Sequence, residues 1–252
     1  MTLKKRALII TGNEICHNFF SNSLAQSCPD FDFDTLKYYS GKTDFEYYFP
    51  IYSVGLTSAE EKNSVTRFIY SRNLTFALRE DPELLYSPKS SRTTSTEAEF
   101  TSVLDKLVDQ YSYDFVFTYG APIIRNVKLL KRTSSYNIHL GLSRFYRGGK
   151  TNIVALSKGE YEKVGATCHE LREEIDTGSV LFEVTLSDYS EIKTIDQLTY
   201  YLIREVTHKI SVYLNGTPIN KFSITPGKMF YHKQFHGQMV IEAENNLRTW
   251  KN

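Results

Sequence analysis

Residues 6–11 (Arg-Ala-Leu-Ile-Ile-Thr) form a short apolar run that ends at Gly12-Asn13-Glu14. Apolar points at helical spacing follow directly: Ile15, Phe19, Phe20 and Leu24. A run this short and continuously apolar reads as a strand buried on both faces, and strand, glycine turn and helix are the opening of a parallel α/β unit. The turn carries one glycine where a dinucleotide-binding loop needs three, which argues against a nicotinamide or flavin reading. The rest of the chain repeats the theme. Asp114–Tyr119 is a buried run ending at Gly120, and Ser135–His139 is another strand. Helices are expected over 14–27, 58–78, 97–111, 150–158 and 194–214, with strands near 164–171 and 179–186. Ser58-Ala-Glu-Glu61 has the form of a capping box. Ser87–Thr96 reads as an exposed loop, and 228–232 and 238–242 as β-prone runs.

The chain has 252 residues, enough for one large domain with a small appendage at roughly 100–200 residues per domain. The expected division is a catalytic domain over 1–214 and a short β-rich C-terminal appendage over 215–252. Thirty Lys and Arg against 29 Asp and Glu leave a net charge of +1, which argues against a chain that coats nucleic acid. No window approaches 18 consecutive apolar residues, so no membrane span is expected. Cys16, Cys28 and Cys168 form no metal spacing and no disulfide framework; with no signal sequence, the expected compartment is the cytoplasm. No metal is expected.

The chemistry concentrates in 119–178. Asn137 and His139 are two apart on a strand, so their side chains face one spot. Farther on, Gly165-Ala-Thr-Cys-His169 precedes Ile175-Asp176-Thr177-Gly178. An amide, an imidazole and a carboxylate suffice for acyl transfer to an amine: two groups stabilise an oxyanion and one accepts a proton. Arg144, Arg147 and Lys150 cluster around Gly148-Gly149 and are candidates for an anion site. His17, near Gly12, is a candidate to line the same cleft.

Taken together, Asn137-Ile-His139, Tyr146-Arg147-Gly148, Gly165-Ala-Thr-x-His169 and Ile175-Asp176-Thr-Gly178 resemble the formyltetrahydrofolate-dependent formyltransferases. That family includes methionyl-tRNA formyltransferase, glycinamide ribonucleotide transformylase and the N-formyltransferases of nucleotide-linked amino sugars. The resemblance covers about 110–185 most clearly. It implies a Rossmann-like α/β fold: a mostly parallel sheet with helices on both faces. It implies N10-formyltetrahydrofolate as formyl donor and Asn137, His139 and Asp176 as the catalytic trio. Tyr119, Gly120, Ala121, Pro122, Ile123 and Ile124 then correspond to the loop that cradles folate, with Glu170, Glu173 and Ile175 on the facing loop. Arg144, Tyr146, Arg147, Gly148, Lys150 and His17 are left for the acceptor, with Arg147 the first choice for a diphosphate. The family's Pro-Ser-Leu-Leu-Pro loop is replaced by Leu140–Arg144, and loss of both prolines is expected to free it.

A sugar nucleotide is the expected acceptor, as in lipopolysaccharide O-antigen biosynthesis. A tRNA substrate would call for a basic extension, and only about 40 residues follow the 194–214 helix. A purine-pathway enzyme would not obviously need residues 30–100 in their present form. A binding protein that had lost catalysis would usually drop a member of the trio. The sequence leaves a homodimer open.

Overall fold

The computed structural model describes residues 4–39, 41, 49–71, 80–86, 90–124, 126–172, 174–185 and 191–250. Glu173, residues 72–78 of the expected second helix, 87–89 of the expected loop and 186 of the last expected strand lie outside them.

Among the described residues one sheet has seven strands. They are β1 (Lys5–Gly12), β2 (Phe31–Tyr38), β3 (Ser91–Thr94), β4 (Phe115–Tyr119), β5 (Ser134–His139), β7 (Ala166–Glu170) and β8 (Val180–Val184). Their order is β3-β2-β1-β4-β5-β7-β8. The first five run parallel, and β7 and β8 complete the sheet by antiparallel pairing. β6 (Tyr146–Gly148) pairs in parallel with β9 (Lys228–Phe230) in a separate two-stranded ribbon.

Both faces of the sheet are covered, so the middle of β1 and most of β4 are apolar. Ala7 and Ile9 of β1 face the core under α1 (Ile15–Ser27) and α6 (Ile195–Leu214). Leu8 and Ile10 face the core under α3 (Glu97–Gln110) and α4 (Val127–Arg132). Helix starts are fixed locally. Ser58 and Glu61 form the expected capping box before α2 (Ala59–Ser71), with Glu61 N–H donating to Ser58 Oγ at 3.1 Å and Ser58 N–H to Glu61 Oε2 at 2.9 Å. Thr96, Asn126 and Thr194 cap α3, α4 and α6 through their side-chain oxygens. The chain winds from β1 outward to β3, then returns to β4 on the other flank of β1, and such a reversal opens a crevice at the carboxyl ends of the strands.

Two segments differ from the sequence expectation, and one strand, β2, carries no clear sequence signal. β2 (Phe-Asp-Phe-Asp-Thr-Leu-Lys-Tyr) is a strand despite three charges: Lys37 is fully buried and donates to Asn18 Oδ1 at 2.5 Å. Residues 91–94 of the expected loop form β3, an edge strand beside β2, with Thr94 Oγ1 donating to the Lys37 carbonyl at 3.0 Å. The run at 238–242 is helical, within α7 (Gly237–Thr249). Met239, Val240, Ala243 and Leu247 are its buried stripe, so the segment after 214 is not β-rich. Helix α7 packs on α2 and on α5 (Thr151–Ser157), and Asn246 Nδ2 donates to the Leu156 carbonyl at 2.7 Å. No helix among the described residues is long and apolar enough to cross a membrane.

Candidate active site

The carboxyl ends of β1, β4 and β5 open into a cleft of about 1110 Å³. A single polar row crosses its floor. Thr118 of β4 is the register partner of Asn137 on β5, and Asn137 is the partner of His169 on β7. Thr118 Oγ1 donates to Asn137 Oδ1 at 2.7 Å. Asn137 Nδ2 lies 3.2 Å from both Asp176 Oδ1 and His169 Nε2. A carboxylate only accepts, so Asp176 fixes the amide with its nitrogen toward the cleft and its oxygen toward Thr118. His169 Nδ1 donates to the Glu170 carbonyl at 2.9 Å, and Nε2 is 3.2 Å from Asp176 Oδ1.

Asp176 comes from the loop after β7 and is 7% exposed. Its other oxygen accepts the Gly148 N–H at 3.0 Å and lies 3.6 Å from His139 Nδ1. His139 Nε2 is 3.1 Å from Thr151 Oγ1. Asp176 holds a left-handed backbone (φ 53°), as does Lys150 (φ 60°). They are the non-glycine residues with positive φ among the described residues, and both line this cleft. Backbone held in that region costs free energy and is retained where the surroundings fix it. Gly148 also needs its glycine: φ is 90°, and a Cβ would stand 2.4 Å from the Phe230 carbonyl oxygen.

The charges follow from burial and neighbours. Burial pushes the Asp176 carboxyl up, but His139, His169 and the Gly148 amide outweigh it and hold it well below the usual carboxylate range. Burial pushes His139 below its ordinary value, and the opposing pull of Asp176 does not make up the difference. The ring is therefore neutral near pH 7, facing an anionic carboxylate. Burial also pushes the Cys168 thiol up, which leaves it inert beneath the site.

The structure brings Asn137, His139 and Asp176 together in one cleft. Tyr119, Gly120, Ala121, Pro122, Ile123 and Ile124 form one wall, and Ile175 stands on the loop that carries Asp176. Gly148, Lys150 and His17 also line it. His17 packs edge-on against Tyr119 at 4.9 Å between ring centroids.

Other expected site residues are turned to different work. Glu170 is not among the lining residues; its carboxylate takes Lys221 at 2.7 Å and Arg172 at 2.5 Å. Arg144 pairs with Glu183 at 2.5 Å, outside the cleft. Tyr146 is buried and its hydroxyl donates to Glu160 at 2.6 Å. The Arg147 guanidinium donates to the Gly227 carbonyl at 3.0 Å and the Ile175 carbonyl at 3.1 Å, so it braces the loop carrying Asp176 instead of facing the cleft. The loop after β5 is not freed by its missing prolines. Thr167 Oγ1 donates to the Gly141 carbonyl at 2.7 Å and accepts the Ser143 N–H at 3.1 Å, which pins it.

Thr118, Thr151 and the role of His169 escaped the sequence reading. The register row that aligns Thr118 and His169 with Asn137 exists only once β4, β5 and β7 are neighbours, and Thr151 reaches His139 from the start of α5. Glu14, Cys16 and His17 place a carboxylate, a thiol and an imidazole within 4.8 Å of one another at the first turn of α1, a set that could hold a metal ion. Part of that geometry is a helix cap, in which Glu14 N–H donates to His17 Nδ1 at 3.2 Å.

No family model matches the chain, and no curated protein matches it. Solved structures do. A 4-N formyltransferase from Francisella tularensis aligns over 95% of this chain and 88% of its own, at TM-score 0.53 and 16% identity. An N-formyltransferase from Helicobacter canadensis, solved with folinic acid and dTDP-3-aminofucose, aligns over 94% and 80%, at TM-score 0.54 and 14% identity. Glycinamide ribonucleotide transformylase 1 from Symbiobacterium toebii aligns over 89% and 96%, at TM-score 0.53 and 13% identity.

The chain has the formyltransferase fold.

Proposed function

We propose that this protein is an N-formyltransferase that moves a formyl group from N10-formyltetrahydrofolate to the amine of a nucleotide-linked amino sugar. The observation that carries the reading is the meeting of Asn137 Nδ2, His139 and the Asp176 carboxylate at the floor of one cleft, with 3.2 Å and 3.6 Å separations. A hydrogen-bond donor faces a buried anionic base beside a neutral imidazole. Acyl transfer to an amine needs that set: a donor for the developing oxyanion and an acceptor for the proton of the attacking nitrogen.

Asn137 Nδ2 donates to the formyl oxygen as it becomes an oxyanion. Its present contacts, at 3.2 Å, are at the long end for N–H···O bonds, so one is given up readily. Thr118 keeps the amide from turning. Asp176 accepts the proton that the acceptor nitrogen sheds after attack. Gly148 and Arg147 hold the Asp176 loop in place during the exchange.

Two features support a second, anionic substrate. The cleft exceeds the roughly 300–1,000 Å³ common for a single small ligand, so donor and acceptor fit side by side. Lys150 lines it, whereas Arg144 and Arg147 are not among its lining residues. Lys150 is therefore the first candidate for the diphosphate contact expected of Arg147. The Tyr119–Ile124 wall and Ile175 both line the cleft and would hold the pterin largely through backbone groups.

Thermal unfolding tests the reading. 5-Formyltetrahydrofolate, a stable donor analogue, should raise the melting temperature, and a matching nucleoside diphosphate should raise it further. Each adds native-state stabilisation by mass action. No shift with folate at saturating concentration would contradict the reading.

A further inference from the structure

Thr151 has no part in the mechanism above, yet it is buried and its hydroxyl touches His139. Its Oγ1 lies 3.1 Å from His139 Nε2 and 3.2 Å from the Leu140 carbonyl oxygen. A hydroxyl has one proton, and a carbonyl can only accept. Both contacts are satisfied together only when Thr151 donates to Leu140 and accepts from an Nε2–H of His139. On the other side of the ring, Nδ1 is 3.6 Å from Asp176 Oδ2, beyond hydrogen-bond range, so the carboxylate does not set the tautomer. Gly141 shows how closely this pair is held: a Cβ there would stand 1.9 Å from Thr151 Oγ1 and 2.6 Å from His139 Nε2.

We propose that Thr151 is a positioning residue that fixes neutral His139 as its Nε2–H tautomer and so keeps the Nδ1 lone pair on the Asp176 side, as the store for the reaction's proton. The carboxylate of Asp176 is a weak resting place for a proton because His169 and the Gly148 amide favour its anion. Nδ1 stands beside it with nothing to donate. Once Nδ1 is protonated, Nε2–H keeps Thr151 as its acceptor and the charged ring stands 3.6 Å from the Asp176 carboxylate as an ion pair.

The step balances. An N–H bond of the acceptor's ammonium breaks and its electron pair stays on nitrogen. The proton bonds to Asp176 Oδ2, and that O–H bond breaks as Nδ1–H forms once the two side chains close the 3.6 Å between them. As the bond from the formyl carbon to N10 breaks, its electron pair leaves on N10, and Nδ1 returns the proton there. No other reactant is required.

This kinetic role rests on the N-formyltransferase reading, but the tautomer does not, and the experiment separates them. Protein labelled with ¹⁵N-histidine is titrated by NMR, and the His139 nitrogens are read directly. Asp176, His169, His17 and Lys150 line the same cleft. His17 and His169 signals are therefore assigned first, and Asp176→Asn serves as a second titration. Wild type should show Nε2 protonated and Nδ1 bare when His139 is neutral. Thr151→Val should lower the His139 titration midpoint by roughly half to one pH unit, the size of one lost hydrogen bond, and Thr151→Ser should restore it. An Nδ1–H tautomer in the wild type overturns the proposal, as does an unmoved midpoint in a folded Thr151→Val protein. In turnover assays Thr151→Val should cut kcat about 5–10-fold with both KM values nearly unchanged, and Thr151→Ser should recover most of it. The expected tautomer with no formyl transfer in wild type would keep the positioning role and overturn the function; a full kcat in Thr151→Val would overturn the proton store.

Discussion

Asn137 and His169 are register partners across the antiparallel β5–β7 pairing, and both reach the same oxygen, Asp176 Oδ1, at 3.2 Å. The pairing explains how a strand and a distant loop build one site. Antiparallel partners have side chains about 5 Å apart, so one carboxylate can bridge them. Asp176 is held by this bridge and by the Gly148 amide, and its left-handed backbone is the local cost of the placement.

Asp176→Asn removes the anion but keeps the shape. The protein should fold and bind folate, and kcat should fall by at least about 10²-fold, the lower range for a positioned proton acceptor. Steady-state kinetics with far-UV circular dichroism as the folding control checks this. A mutant that keeps more than about a tenth of kcat, with chemistry rate-limiting, removes Asp176 from the role.

Thr118→Val should act through Asn137. Loss of the hydroxyl that holds Oδ1 costs about 1 kcal/mol, so kcat should drop roughly 5-fold while the acceptor KM stays put. Asn137→Ala, which deletes the donor, should cost about 10²–10³-fold. An equal loss in both variants would mean that the hydroxyl supports the fold and not the amide's orientation.

The three basic residues after β5 should separate in a single set of KM measurements. Lys150→Ala should raise the acceptor KM more than it lowers kcat, as expected for lost uniform binding. Arg144→Ala should leave both alone. Arg147→Ala releases the Ile175 carbonyl and should lower kcat by loosening the Asp176 loop. An acceptor KM that responds to Arg144 and not to Lys150 would reverse the assignment.

Stability should fall with acid in two stages. His139 is held below its ordinary value in the fold, and so is Asp176. In each case the unfolded chain binds the proton more readily, so the contribution is complete above the unfolded-state pKa, about 6.5 for His and about 3.9 for Asp, and is lost as pH falls through the folded value. Denaturant midpoints should therefore drop below about pH 6.5 and again below about pH 4. His139→Gln should flatten the first drop and Asp176→Asn the second. Midpoints that rise on acidification would contradict both directions.

Much of this site could be read from the chain because its signals are local. β1 and β4 are short apolar runs, and α3 and α6 carry one apolar stripe each. The two-residue spacing of Asn137 and His139 puts both on one side of a strand. What could not be read depends on distant partners. β2 hides behind Asp32, Asp34 and Lys37, and Lys37 becomes a core residue where Asn18 on α1 meets it. β3 is polar because an edge strand needs only one neighbour. Met239, Val240 and Ile241 look like a strand in isolation, and the helical stripe through Ala243 and Leu247 decides otherwise. Arg147 misled because a guanidinium beside glycines resembles an anion site equally well whether it meets a phosphate or two backbone carbonyls.

The most direct measurement is turnover itself. Wild-type protein with N10-formyltetrahydrofolate and a panel of thymidine-, uridine- and guanosine-diphosphate amino sugars, alongside glycinamide ribonucleotide, is followed by mass spectrometry. At least one nucleotide-linked amino sugar should gain a single formyl group, with tetrahydrofolate released in equal amount, and Asp176→Asn should abolish the gain. Formylation of glycinamide ribonucleotide with no sugar nucleotide touched would contradict the acceptor, and no formyl transfer to any amine would contradict the function.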